Sequence, residues 1–209
     1  LRIRHWLKGV ARIVAELGIQ KELGQNRDRF LGADPAELLA GLGLGLSNAT
    51  WQAAVETGQV LAGIVKYPPD NPFYMYHVKL FTIITHISAL LLRLTDSEKL
   101  VSIIVSALLG MISFQALGLL IFAINRDVLL AFLGVTFIYF MNYLGKGVVY
   151  PIWLLGYPHT YGALGLSFAV LALALICVGA YGPALFCIGL APCVHPSIGA
   201  YLFVVVSLA

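Results

Sequence analysis

The stretch from Lys66 to Arg93, KYPPDNPFYMYHVKLFTIITHISALLLR, constrains the chain most. Pro68 and Pro69 cannot extend a helix, and Pro69 holds Pro68 in an extended conformation. Asp70 or Asn71 can then cap a new helix with Pro72 at its first position. Residues 73–92 are mostly apolar, close to the roughly 20 residues that cross a hydrocarbon core about 30 Å thick. A proline-stiffened loop therefore delivers the Asp70 carboxylate to the mouth of a membrane span.

Further segments of the same kind follow. Residues 100–124 predict a second span, after a charged turn, RLTDSEK, in which Asp96 or Ser97 caps the new helix. Residues 128–143 and 160–180 predict two more. Shorter apolar runs cover 35–47, 148–156, 183–194 and the end of the chain. Only 11% of residues are charged, against about 25% in a soluble domain. The predicted fold is all-α: a polytopic transmembrane helix bundle over residues 31–209, preceded by a surface segment over 1–30. Leu at position 1, and an apolar run reaching Ala209, suggest a piece of a longer chain.

Residues 1–23 predict an amphipathic helix. Ile3, Trp6, Leu7, Val10, Ile13, Val14 and Leu17 recur at helical spacing, with Arg4, His5, Lys8, Arg12 and Glu16 opposite. Such a basic helix fits the interface of an anionic leaflet, so membrane lipids are its expected partner. Seven of the thirteen Lys and Arg precede residue 30, which places the N-terminus on the cytoplasmic side. Residues 48–72 are then expected outside and residues 94–99 inside. Residues 48–65 are expected to lie along the interface, and Gly41 with Gly45 forms a GxxxG that lets helices approach closely.

Polar residues are the candidates for chemistry. Glu56 and Asp70 are carboxylates expected at the external face, each able to act as a general base or to bind a divalent cation. Lys79 either snorkels or pairs with an acidic group such as a substrate phosphate. His159 and His195 stand at predicted helix starts, where an imidazole and free backbone N–H groups can meet an anion. His77 and His86 are nine residues apart, on opposite faces of one helix, so they do not serve one haem together. Cys177, Cys187 and Cys193 read as small buried apolar side chains. There is no Walker loop, GxGxxG, Ser-His-Asp signature or CxxC, and nothing points to nucleic acid.

The segment TWQAAVETGQVLAGIVKYPPDNPFYMYH, followed later by HTYG and HPSIGA, resembles the C-type (GT-C) membrane glycosyltransferases over about residues 35–200. In that resemblance Glu56 stands where the family places a loop acid, and YPPDNPFY matches its proline-rich entry to the second span. The resemblance implies transfer of a sugar from a lipid-linked phosphate donor on the external face. It makes Glu56 or Asp70 the base or metal ligand, and Lys79, His159 and His195 the contacts to the donor phosphate. A different class remains open from the residues themselves: a non-catalytic transmembrane subunit packed against other transmembrane subunits of a larger, energy-converting complex.

Overall fold

A computed structural model of the chain describes residues 35–47, 52–66, 68, 70, 82–144 and 160–208. The expected surface helix over 1–23 and the short run 148–156 lie outside the described residues. The described residues form helices only: α1 (Pro35–Ser47), α2 (Ala53–Ala62), α3 (Ile83–Thr95), α4 (Glu98–Asn125), α5 (Val128–Leu144), α6 (Thr160–Cys177), α7 (Tyr181–Val194) and α8 (Pro196–Leu208). The all-α expectation holds for them. Helices α4 and α6 are long and apolar enough to cross a membrane, judged by length and composition.

Local sequence explains most of the helix ends. Ser97 is extended and accepts the Leu100 N–H at 3.3 Å, opening α4 as predicted. Asp127 Oδ1 accepts the Leu130 N–H at 3.0 Å and opens α5. Asp96 and Arg126 close the preceding helices in the left-handed conformation, at φ 48° and φ 60°. Gly179, at φ 77°, ends α6, and Ala180 N–H returns to Leu175 O at 2.8 Å. One boundary departs from expectation. No single helix covers 73–92, because Thr82 is extended (φ −125°, ψ 124°) and α3 starts afresh after it. The Thr82 hydroxyl bonds to Thr85 at 2.6 Å, and His86 Nδ1 donates to the Thr82 carbonyl at 2.9 Å. Helix α3 therefore opens inside the apolar run, with no side-chain cap from Thr82, although the hydropathy is continuous.

Helix α4 is the axis of the assembly. Along its first half it packs against α2 and α3, and Val101, Val105 and Leu109 join Ala54, Val55, Ile84 and Leu164 in one buried cluster. Along its second half it packs against α6, and Leu119 and Ala123 join Ala172, Leu175, Ala184 and Ile188. Ser113 and Ser167 hydrogen-bond at 2.8 Å between α4 and α6, which run side by side in the same direction. Helix α5 turns back along α4, with the Phe114 and Phe132 rings 5.8 Å apart. Gly41 of α1 lies against α4, where a Cβ would come within 2.8 Å of the Met111 Cα, so the close approach expected of that glycine is realised.

One expectation about residues 48–72 is corrected. Helix α2 packs into the bundle, with Ala54 and Val55 fully buried at 0% exposure among α3, α4 and α6. Residues 61–66 and 93–99, expected at opposite ends, lie at the same one. Helices α2 and α3 run parallel, with Gly58 beside Ser88 and the Arg93 guanidinium donating to the Leu61 carbonyl at 3.0 Å. That contact sets residues 61–66 at the same end of the bundle as 93–99.

Helices α7 and α8 form a tight hairpin with His195 between them. Gly199 is pressed against the Ala191–Pro192 backbone and has no space for a Cβ. On the other side His195 sits directly on Gly165 of α6, which leaves no space for a Cβ there either. Leu202 and Val206 of α8 pack back on the cluster shared by the end of α6 and the start of α7. The apex of the hairpin therefore lies near the first turns of α6.

Candidate functional site

The start of α6 is where polar side chains collect. Gln52, just before α2, is 2% exposed and uses both ends of its amide. Its Nε2 donates to Ser106 Oγ of α4 at 2.9 Å, and its Oε1 accepts from Thr160 Oγ1 of α6 at 2.7 Å. The Ala54 N–H reaches the same Thr160 oxygen at 3.4 Å. One amide thus ties three helices, and each partner is satisfied in surroundings where an unpaired polar group is costly.

One residue further along α6, Tyr161 centres a second group. Its phenol meets Thr85 Oγ1 at 2.6 Å, and Thr85 in turn meets Thr82 Oγ1 at 2.6 Å. The hydroxyls of Thr57 and Thr82 also reach the phenol, and the Glu56 charge lies within electrostatic range of it. Thr57, Thr82 and Thr85 are 0% exposed. Four hydroxyls from α2, α3 and α6 therefore share a dry space, with a half-buried carboxylate at its border. Chemically this is a set of hydroxyls that donate or accept a hydrogen bond as required, with a carboxylate within electrostatic range of the phenol.

Of the residues proposed for the site, Glu56 lies on helix α2, not on a loop, and is half-buried. Asp70 is exposed in a turn. Lys79 and His159 lie outside the described residues, as does His77. His195 is half-buried at the hairpin apex, and its Nδ1 accepts the Ile198 N–H at 3.3 Å, which leaves the proton of the neutral ring on Nε2. Glu56 and His195 thus approach the same end of α6, one near Tyr161 and the other against Gly165. Among the described residues, no three His, Cys, Asp or Glu side chains converge as a metal site. Cys187 is buried, Cys193 half-buried, and Cys177 exposed, contrary to the expectation that all three are buried.

Beside the hydroxyls lies an apolar groove of about 160 Å³ between α3, α4, α6 and α7. Ile84, Val105, Leu109, Leu164, Phe168 and Leu190 line it, and Thr160 supplies its hydroxyl-bearing residue. Ile87 and Leu108, both exposed, stand at its rim.

Reading by charge alone misses Gln52, Thr57, Thr82, Thr85, Ser106 and Tyr161. Their signal is a neutral polar side chain inside an apolar helical segment, which a buried setting tolerates only when it is paired. The chain matches no protein-family model, no curated protein and no solved structure.

Proposed function

We propose that the chain is a polytopic integral membrane protein, its N-terminus cytoplasmic, that transfers a sugar from a lipid-phosphate donor with Glu56 as general base. The membrane part of the reading is supported by α4 and α6, by the shorter apolar helices around them, and by large apolar side chains facing outward on α5, α7 and α8, such as Leu129, Phe186 and Phe203. The catalytic part rests on the resemblance to GT-C enzymes, and one observation carries it further. A half-buried carboxylate, Glu56, lies within electrostatic range of the buried Tyr161 hydroxyl cluster. Charged residues inside membrane segments are costly and mark functional sites by default.

In this reading Glu56 takes the proton of the acceptor hydroxyl as its oxygen attacks the anomeric carbon, and the bond from that carbon to the lipid phosphate breaks, the phosphate leaving with the bonding pair. Asp70 is the alternative base or metal ligand, and Lys79, His159 and His195 serve the donor phosphate. The test is transfer of radiolabelled sugar from a polyprenyl-phosphate donor in membranes containing the chain. Glu56→Gln should lower transfer by about 10²- to 10⁴-fold, the usual range for a lost general base, with the folded amount unchanged. Undiminished transfer in Glu56→Gln would remove Glu56 from the chemistry. Absence of transfer by the unaltered chain, together with stoichiometric co-purification of other membrane proteins, would favour the non-catalytic subunit.

A further inference from the structure

The groove between α3, α4, α6 and α7 has no part in the proton transfer just described, and its chemistry differs from that of its neighbours. We propose that it holds one acyl chain of a bilayer phospholipid, which enters sideways between Ile87 and Leu108. The inference rests on the membrane part of the reading above and is independent of the sugar-transfer part.

Three observations fix the occupant as hydrocarbon. The lining is aliphatic or aromatic except at Thr160, and the Thr160 hydroxyl is already committed to Gln52 Oε1 and the Ala54 N–H. The inner end therefore recognises no polar headgroup. The volume, about 160 Å³, is that of an apolar cavity which stays dry and accepts small hydrocarbons. Left empty, it would deny its lining atoms their dispersion contacts. The third observation decides where the hydrocarbon comes from. The rim residues Ile87 and Leu108 belong to an apolar exterior that continues through Leu90 and Leu94 of α3 and Leu100 of α4, all exposed. In a bilayer that exterior is covered by acyl chains, so the groove is a side pocket of the lipid phase. Anchored there, the lipid fills the wedge between the α3–α4 pair and the α6–α7 pair directly beside the Thr160–Gln52–Ser106 tie.

The test uses the full chain in nanodiscs containing phosphatidylcholine with a diazirine midway along one acyl chain. After photolysis, labelled peptides are compared between the groove (105–112 and 164–168) and the outer face of α5. Labels are expected at both places. In Val105→Phe or Leu164→Phe, either of which fills the groove, the ratio of groove to α5 labelling should fall about tenfold, the equivalent of about 1.4 kcal/mol. Leu129→Trp, on the outer face of α5, should leave groove labelling unchanged. Because both sites are read in the same molecules, a variant that folds in lower yield still gives the ratio. An unchanged ratio in both filling variants overturns the inference, as does labelling that polyprenyl phosphate displaces and excess unlabelled phosphatidylcholine does not. Labelling at neither place overturns the membrane reading as well. Loss of Glu56-dependent sugar transfer has no bearing on the ratio, so the two ideas fail separately.

Discussion

At the scale of single residues, the side chain with the most consequence is a neutral amide. Gln52 donates to one helix and accepts from another, so its loss takes a donor from Ser106 Oγ and an acceptor from the Thr160 hydroxyl together. Stranded buried hydroxyls cost more than the bonds themselves contribute, though hydrogen bonds within membrane bundles average below 1 kcal/mol. Gln52→Ala should therefore destabilise the fold by about 1–3 kcal/mol, measured by denaturant unfolding in micelles. A neutral result would mean that the tie contributes nothing. The Tyr161–Thr85 bond calls for a double-mutant cycle. Tyr161→Phe and Thr85→Val should each cost about 1 kcal/mol, and together less than their sum, because both substitutions remove the same bond. Strict additivity would deny the contact. These residues also show where reading the sequence stops. Ser97 and Asp127 announce themselves because a cap needs only its own next three residues. The partners of Gln52 lie 54 and 108 positions away, and nothing local encodes them.

At the scale of elements, hydropathy locates helices well and breaks poorly. Predicted ends of α4, α5 and α7 fall within a few residues of those observed. The helix start at Thr82 is invisible to hydropathy because it falls within a continuous apolar run. The α7–α8 hairpin is similar. Pro196 signals a break, but the direction of the return is set by Gly199 and by Gly165 on another helix, both without space for a Cβ. Two glycine substitutions separate packing from propensity. Gly165→Leu drives a side chain into His195 and should cost about 1–3 kcal/mol or more by overpacking. Gly189→Ala meets nothing within 4 Å and lies inside α7, so it should be neutral or gain up to about 1 kcal/mol. Thermal unfolding of both variants in one detergent gives the comparison. Equal losses would mean that the His195 contact is not a close one.

At the scale of the whole molecule, the candidate site was half legible. Glu56 and His195 stand out by type and do approach one end of α6, whereas the hydroxyl cluster between those elements depends on a parallel α2–α3 pair that charge counting does not anticipate. Counting basic residues placed residues 48–72 and 94–99 on opposite sides. The Arg93–Leu61 hydrogen bond overrides that count, because a 3.0 Å contact fixes two segments at one end of the bundle whatever their charges. Helix α4 supplies the ruler: 28 residues rise about 42 Å, more than the roughly 30 Å of a hydrocarbon core, so in the proposed membrane reading its two ends emerge on opposite sides of the bilayer. Lys66 and Lys99, both exposed, should then share one side, and exposed Asp127 should face the other. In a background with Cys177, Cys187 and Cys193 replaced by Ala, single Lys66→Cys, Lys99→Cys and Asp127→Cys variants can be treated in sealed vesicles with an impermeant maleimide. The first two should react together, before or after permeabilisation, and the third in the opposite condition. Lys66→Cys and Lys99→Cys reacting from opposite sides would break the parallel α2–α3 pair, and with it the placement of Glu56 beside Tyr161.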